Sequence, residues 1–394
     1  MLGALAMSTI SQYPVANMPR SRPTSRKLGS LGDSISGHAT AAGTTRFARR
    51  FASSLNPQFY RSVVDGICVS SIGMGTYLGD YDDAEDARYV TVLAAGIERG
   101  LNMIDTSINY RCQRSERAAG HAIRRAIEHR IASRDEIVVS TKGGYIPLDG
   151  SPPASRELYD SFLAMEYFDR GVMTRNDVVS GGHSIAPSFI ADQIRRSLAN
   201  LGLSTIDIYY LHNPEQQQSA LDGPGFRQAL ANAFRELENQ VRLGHIRAYG
   251  CATWSGFRQE PASPNRLDLE EIVGIARKVG GSSHHFRVVQ LPVNLAMTEA
   301  VRTLNQTLSG RRVSLLEAAA SLGIAVVASA SLMQSQLARG LPATLSMTFP
   351  SLETDAQRAI AFVRSLPVCS ALVGMRSLDH LSENLGAARE IITA

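Results

Sequence analysis

The chain has 394 residues, of which 44% are hydrophobic and 19% charged, a composition typical of a globular protein that excludes a disordered chain. No apolar run approaches the roughly 18 residues that cross a bilayer, so we expect a soluble protein with no membrane partner. The net charge of +4 is concentrated in the first fifty residues, where seven basic groups face one acidic group. The rest is nearly neutral, and no basic patch for nucleic acid is expected on the folded body.

The four cysteines predict neither a zinc site nor a disulfide framework. They lie far apart with no C-x-x-C pair, at Cys68, Cys112, Cys251 and Cys369. Such spacing suits a reducing compartment, so we expect a cytoplasmic protein without a metal.

Residues 1–55 read as a basic, flexible N-terminal extension. They are rich in Ser, Ala, Gly and Arg and show no sustained apolar period. The opening MLGALAM is too short for a secretory signal, whereas abundant Arg and Ser with few acids also resemble an organellar transit peptide. Organellar import therefore stays open beside the cytoplasmic location.

From about residue 60, short β-branched runs alternate with helical patterns. The predicted strands are 67–73, 102–105, 136–142, 206–212, 245–252, 286–291, 324–330 and 369–374. The predicted helices are 82–99, 115–129, 187–200, 226–243, 268–279, 314–322, 354–365 and 377–392.

Eight strand–helix units over residues 56–394 predict an α/β fold, a (β/α)8 TIM barrel. A dinucleotide-binding open sheet is the competitor, because Gly73, Gly75 and Gly79 look like a glycine fingerprint. Their G-x-G-x-x-x-G spacing is one residue too long, and no helix opens directly after it. Residues 145–186 interrupt the rhythm after the third strand, which predicts a lid or substrate-facing insertion at the catalytic end of the barrel.

Polar residues follow three of the predicted strands at their carboxyl ends. Asp105 ends NMID, Lys142 ends EIVVSTK and His212 ends IDIYYLH, while Tyr110 follows Asp105 in the next loop. Reactive groups of such barrels come from these strand ends. Each residue alone has a structural explanation, such as a cap or a core-edge ring, but a lysine that ends a buried strand is costly unless it is paired.

These four residues suit the reduction of a carbonyl group by a nicotinamide cofactor. Negative charge that develops on the carbonyl oxygen needs a nearby acid, and Tyr110 supplies the proton. Lys142 lowers the cost of the phenolate, Asp105 holds Lys142 charged, and His212 orients the carbonyl. We expect the cofactor to supply the hydride and the protein to supply positioning and electrostatics.

The chain resembles the aldo-keto reductase superfamily from about residue 64 to residue 392. The resemblance rests on the segments GLNMIDTSINYRCQRSERAAGHAI, VVSTKGG, DIYYLHNPE and LVGMRSLDHLSENL. It implies an NADPH-dependent barrel enzyme and assigns the catalytic roles to Asp105, Tyr110, Lys142 and His212.

The resemblance also implies a set of cofactor contacts. The nicotinamide end would meet Thr253 and Gln290, the pyrophosphate Ser331 and Leu332, the 2′-phosphate Arg376 and Ser377, and the adenine end Glu383 and Asn384. The chain departs from the family pattern where Ala252-Thr253 replaces Ser-Asn and where Ser329 replaces a stacking tyrosine. Trp254 and His183 are the tentative substrate contacts.

Two alternatives remain open: an aldose or lactol dehydrogenase that uses the same residues, and a cofactor-binding sensor or partner subunit with negligible turnover. The expected partner is a small carbonyl or sugar molecule, and the oligomeric state is not determined. A short-chain dehydrogenase is excluded, because the residues four before the three lysines are Pro23, Val138 and Gly274 instead of tyrosine.

Overall fold

The structure is a computed structural model that describes residues 33–56 and 58–389. Its strands are β1 Tyr60–Ser62, β2 Cys68–Ser70, β3 Ile72–Gly75, β4 Met103–Asp105, β5 Val138–Gly143, β6 Ile206–His212, β7 Ile246–Ala252, β8 Phe286–Pro292, β9 Gln306–Leu308, β10 Arg311–Val313, β11 Ala325–Ser329 and β12 Ser370–Gly374. Its α-helices are α1 Ala41–Arg50, α2 Asp83–Glu98, α3 Arg114–Glu128, α4 Arg156–Leu163, α5 Pro187–Leu201, α6 Gly223–Arg242, α7 Leu269–Gly280, α8 Glu299–Arg302, α9 Leu315–Leu322, α10 Ala343–Thr348, α11 Asp355–Arg364 and α12 Leu378–Gly386.

Eight parallel strands close into a barrel in the order β3-β4-β5-β6-β7-β8-β11-β12, which returns to β3. The barrel interior is filled by apolar side chains from successive strands, among them Met103, Val138, Ile208, Val288 and Leu372. A second, larger cluster packs the helices on the outer face of the strands. The predicted (β/α)8 TIM barrel is confirmed, and every carboxyl strand end opens at the same rim.

The first predicted strand, 67–73, is wrong as a single element. The chain forms an antiparallel hairpin of β1 and β2, passes through Ser71, and only then enters the barrel as β3. Buried hydroxyls mark the change, because Ser70 Oγ donates to the Ile72 carbonyl and Arg364 donates to Ser71 Oγ. The sign of the break in the sequence is the pair Ser70-Ser71, which interrupts the apolar run.

A helix that the sequence analysis did not predict lies in the described part of the N-terminal segment. Helix α1 begins after Thr40, whose side chain accepts a hydrogen bond from Gly43 N, and it buries Phe47. Its Arg46 and Arg50 form ion pairs with Glu136 at 3.0 Å. The predicted extension also covers residues 1–32, which lie outside the described residues.

The chain ahead of α1 crosses the amino end of the barrel. Ile35 bridges Leu203 in parallel, and Ala39 N donates to Asp207 Oδ1 over 2.7 Å. Asp207, the second residue of β6, also pairs with Arg134 at 2.9 Å and accepts Val139 N through Oδ2. Both oxygens of this buried carboxylate are therefore occupied.

The predicted insertion at 145–186 contains α4, a π-helical turn at Ala164–Phe168 and a short bridge of His183 to Tyr145 and Val179. It leaves β5 at the carboxyl rim and returns to it before α5. No helix within the described residues is long and apolar enough to cross a membrane.

Candidate active site

The carboxyl rim brings the four sequence-predicted residues together. Asp105 ends β4, Lys142 is the penultimate residue of β5 and His212 ends β6, on three strands that pair side by side. Tyr110 lies in the loop after β4, where its N–H donates to the Ser107 carbonyl over 3.0 Å. Adjacent parallel strands place these side chains at one edge of the sheet.

Asp105 and Lys142 form a buried ion pair at the floor of this site. Lys142 Nζ lies 2.6 Å from Asp105 Oδ2 and donates to the Thr106 carbonyl over 2.7 Å, and neither side chain is more than 5% exposed. The other carboxylate oxygen accepts hydrogen bonds from Ser140 Oγ at 2.7 Å and Gln290 Nε2 at 2.8 Å. Burial lowers the pKa of Lys142, and Asp105 opposes that shift.

Tyr110 lies directly above the ion pair. Lys142 Nζ is 5.0 Å from the centroid of its ring, and the His212 ring is 5.9 Å away in an edge-on arrangement. Burial, and then the charge of Asp105, raise the pKa of Tyr110 well above its ordinary value. The phenol therefore holds its proton at neutral pH.

The loop behind Tyr110 has an unusual backbone. Arg111, Cys112 and Gln113 all have positive φ, at 49°, 53° and 68°, a conformation that costs non-glycine residues about 1 kcal/mol or more each. Arg111 offsets this cost through a buried ion pair with Asp86 at 2.6 Å. The turn fixes the direction in which Tyr110 enters the site before α3 begins.

His212 is a neutral ring in this site. Burial lowers its pKa well below the ordinary value, and the charge of Lys142 lowers it further. Ser107 Oγ lies 3.3 Å from its Nδ1. Ser107 Oγ, which has a single hydrogen, lies closer to Asn109 Oδ1, at 2.6 Å, so Ser107 does not fix the tautomer of His212. The tautomer with its hydrogen on Nε2 can donate to a substrate oxygen.

His183, which was expected to contact substrate, lies behind the site. It is fully buried, its Nε2 is 2.7 Å from the His212 carbonyl oxygen, and its Nδ1 is 2.8 Å from Gln217 Nε2. A ring nitrogen that faces a carbonyl must carry the hydrogen, so Nε2 donates and Nδ1 accepts. Both nitrogens are therefore engaged, burial lowers the pKa of His183 to about 4, and its place is to hold the end of β6.

Two tyrosines that the sequence analysis missed flank the site. Tyr77, in the loop after β3, is 52% exposed and packs edge-on against Tyr110 with ring centroids 5.0 Å apart. Tyr145 packs at right angles to His212, also at 5.0 Å. The sequence could have indicated Tyr145 as a site residue, because it follows Lys142 by three positions in a loop at the carboxyl rim.

Trp254, the other tentative substrate contact, stands at the mouth of the site. It is 43% exposed, and its backbone N–H donates to Asn213 Oδ1 over 2.6 Å. The buried carboxyl group of Glu215 accepts the next amides, Ser255 N at 3.4 Å and Gly256 N at 3.2 Å. Burial raises the pKa of Glu215 to about 7. The loop after β7 is thus held by two residues of the loop after β6.

The expected nicotinamide and pyrophosphate contacts lie on the same rim. Thr253 Oγ1 and Ser331 Oγ are buried hydroxyls without a hydrogen-bond partner in the described chain, and Leu332 is half-buried next to Ser331. The side-chain nitrogen of Gln290 donates a hydrogen bond to Asp105 Oδ1 over 2.8 Å. Both hydroxyls therefore have bonding capacity left for a polar molecule at this rim.

The expected adenosine-end contacts surround the start of α12. Arg376 donates from Nε and Nη2 to the two oxygens of Glu85, at 2.6 and 2.9 Å, which leaves Nη1 for another acceptor. Ser377 caps α12 by accepting His380 N at 3.1 Å. Asn384 is buried, and the Glu383 carbonyl accepts Gln357 Nε2 at 2.9 Å. The cation and the helix start together suit a phosphate.

Comparisons with known proteins agree with this architecture. The sequence model of the Aldo/keto reductase family matches residues 71–264. A D-threo-aldose 1-dehydrogenase from Pseudomonas sp. is 31% identical over 192 residues, which are 48% of this chain and 51% of that protein. The matched part of the chain therefore spans about half the length of this curated relative.

Solved structures share the fold. An aldo/keto reductase from Klebsiella pneumoniae, in complex with NADP and acetate, aligns at a TM-score of 0.56 and 21% identity, over 85% of this chain and 91% of that one. The holo form of an aldo-keto reductase from Bacillus halodurans aligns at 0.55 and 17%, over 85% and 92%. At identities this low, the structural similarity shows a shared barrel fold and nothing more.

Residues 71–264, just under half of the chain, carry the sequence of the aldo/keto reductase family. The family is one of oxidoreductases, and the match includes Asp105, Tyr110, Lys142 and His212.

Proposed function

We propose that this protein reduces an aldehyde or ketone with NADPH, and that Tyr110 is the general acid. The observation that carries the proposal is the buried Lys142–Asp105 ion pair beneath a protonated Tyr110 at the open rim of the barrel. A fully buried lysine that ends a barrel strand is costly to maintain, and such perturbed groups cluster at functional sites.

The residues present fit a nicotinamide dinucleotide. The unpartnered hydroxyls of Thr253 and Ser331 would hold its nicotinamide and pyrophosphate parts, and Arg376 Nη1 with the start of α12 would hold a 2′-phosphate. The similar Klebsiella structures contain NADP and NADPH. When bound, the cofactor supplies the hydride.

The chain's own residues then have separate tasks. Neutral His212 donates a hydrogen bond that orients the carbonyl oxygen, and Tyr110 transfers its proton to that oxygen as negative charge develops. Lys142 stabilises the phenolate that remains, and Asp105 keeps Lys142 charged and in place. The raised pKa of Tyr110 favours this direction, because the phenol carries a proton to give at neutral pH.

The test is the decrease in NADPH absorbance with a reactive aromatic aldehyde. We expect turnover by the native protein and a loss of at least ~100-fold in kcat for Tyr110→Phe, the scale of general acid catalysis. Tyr60→Phe is the control, because its hydroxyl donates to the Gly100 carbonyl at the opposite end of the barrel. If the native protein binds NADPH and reduces nothing, sugars with NADP⁺ are tested next, and a sensor or partner subunit replaces the enzyme only if these are not oxidised either.

Oxidation of an aldose with NADP⁺ is the second candidate. It is favoured by the 31% identity, over 192 residues, to a D-threo-aldose 1-dehydrogenase. In that direction Tyr110 must accept a proton, so activity should rise with pH through the alkaline range. A panel of aldoses with NADP⁺ at pH 7 and pH 10 separates the two directions.

A further inference from the structure

Tyr145 is placed in the candidate site but has no role in the proton transfer. It follows β5 by two residues, its ring packs against His212, and it is only partly buried. The Tyr145 phenol is near enough to contribute to the raised pKa of Tyr110. Its hydroxyl therefore belongs to the same cleft as the proposed acid.

The orientation of the Asn213 side chain is fixed by its two partners. Asn213 Oδ1 lies 2.6 Å from Trp254 N, and a backbone N–H is only a donor. Oδ1 must face Trp254, so the amide nitrogen faces Tyr145, at 2.7 Å from its hydroxyl oxygen. Asn213 thus donates to Tyr145.

Gln216 presents a second amide nitrogen to the same oxygen. A phenol oxygen has two acceptor positions and one hydrogen. With both acceptor positions filled by Asn213 and Gln216, the hydrogen of Tyr145 must be donated elsewhere. Within the described residues, no group accepts it.

We propose that Tyr145 O–H is a directed donor to a second oxygen of the substrate, near the carbonyl that Tyr110 and His212 hold. The inference rests on the proposed reduction and narrows its substrates to carbonyl compounds that carry a nearby oxygen. The fixed hydrogen makes the site reject the analogue that lacks this oxygen, because the donor then stays unpaired.

The charges around Tyr145 indicate that this second oxygen is neutral. Its hydroxyl contacts two neutral amides, and the carboxyl of Glu215 is near enough to contribute, after burial, to a pKa of about 12 for Tyr145. Lys142 is covered by Tyr110 and paired with Asp105. Arg258, which donates to the Trp254 carbonyl, is paired with Glu299. A hydroxyl or ether oxygen fits these surroundings better than a carboxylate.

The experiment compares two aldehydes of nearly equal shape, lactaldehyde and 2-methylpropanal, in which a methyl group replaces the hydroxyl. The readout is kcat/KM of each variant relative to native protein for each aldehyde, so aldehyde hydration cancels. For Tyr145→Phe we expect a loss of about ten-fold with lactaldehyde and less than two-fold with 2-methylpropanal.

A second variant tests the direction of the hydrogen bond without removing the hydroxyl. Gln216→Glu places an acceptor where a donor stood, so Tyr145 turns its hydrogen to the new carboxylate. We expect the same selective loss with lactaldehyde. Gln228→Glu adds an equal charge on the outer surface of α6, and Tyr159→Phe removes a hydroxyl that donates to Gly181; both should keep the native ratio.

The outcomes separate this inference from the reaction on which it rests. If Tyr145→Phe loses kcat/KM equally with both aldehydes, or with neither, Tyr145 is not a directed donor to the substrate. The proposed reduction is not affected by that result. If Gln216→Glu keeps the native ratio of kcat/KM for lactaldehyde to kcat/KM for 2-methylpropanal, the directed donor is rejected as well. No turnover of either aldehyde by native protein, together with none of an aromatic aldehyde, rejects the proposed reduction and this inference with it.

Discussion

At each end of the barrel an aspartate of a barrel strand is buried with a cation, and the two pairs differ in their surroundings. At the amino end, Asp207 has both oxygens occupied, by Arg134, Ala39 N and Val139 N. At the carboxyl end, Asp105 is also fully engaged, by Lys142, Ser140 and Gln290, but this pair lies beneath the open mouth of the barrel. The hydroxyls of Thr253 and Ser331 stand unpartnered on the same rim.

This contrast separates stability from function within one fold. A closed set of partners around a buried charge stabilises the chain that supplies them, here the segment ahead of α1. An open set leaves bonding capacity for a molecule that arrives later, at a cost in stability. Changes at the amino end should therefore affect unfolding, and changes at the carboxyl rim should affect turnover.

The largest effect is expected from Arg134→Met. Removal of one partner of a buried ion pair leaves Asp207 uncompensated, which costs about 3–5 kcal/mol of unfolding free energy. Chemical denaturation measures the loss, and kcat of the folded protein should stay within two-fold of native. A ten-fold loss of kcat at full folding would show that the two ends are coupled.

Lys142→Met is the matched change at the other end. We expect kcat to fall by at least ~100-fold, the scale of lost electrostatic stabilisation. Its effect on unfolding should be smaller than that of Arg134→Met, because burial already lowers the pKa of Lys142 and because Arg134 also donates to two buried carbonyls, whereas Lys142 donates to one. An equal loss of stability in both variants would contradict the contrast.

Glu215→Gln tests the rim through pH. The pKa of Glu215 is raised from 4.5 to about 7 by burial, so the folded state binds the proton more tightly than the unfolded state. The stabilisation is present below pH 4.5 and is lost as pH rises through 7, by up to about 3 kcal/mol. Native protein should lose stability relative to Glu215→Gln over this window, measured by denaturation at a series of pH values. A constant difference between the two proteins would refute the assignment.

The smallest effect is expected from Ala39→Pro, which removes the N–H that Asp207 Oδ1 accepts. A hydrogen bond to a buried charge stabilises by about 2 kcal/mol, and the unfolding free energy should fall by that amount. Ala41→Pro is the control, because the first residue of a helix has no intrahelical use for its N–H. Equal thermal shifts in both variants would mean that the segment does not stabilise the barrel.

Much of the barrel could be predicted because parallel strands buried on both faces are short apolar runs between helices. Strand β6 was predicted with its observed bounds, and the polar residue at its end, His212, indicated where the carboxyl rim of the barrel lies. The candidate catalytic residues were predicted by the same rule, since Asp105 and Lys142 follow apolar runs whose carboxyl ends lie at one edge of the sheet.

The remainder depends on contacts that no local pattern contains. Arg376 meets Glu85 across 291 positions, and the burial of His183 depends on Gln217, 34 positions away. Helix α1 lacks an apolar period because one ring, Phe47, anchors it while its arginines pair with Asp135 and Glu136. Its signals were the Thr40 cap and that ring, in a segment whose composition suggested flexibility.

Closure of the barrel has a consequence for its biosynthesis. Strand β3 pairs on one side with β4, about 30 residues later, and on the other side with β12, about 300 residues later. At a translation rate of ~5–20 residues per second, that second edge stays unpaired for about 15–60 s after β3 is made. An open strand edge of a nascent chain recruits other strands. The ribosome-bound chain should therefore depend on chaperones until β12, within the last 25 residues of the protein, emerges.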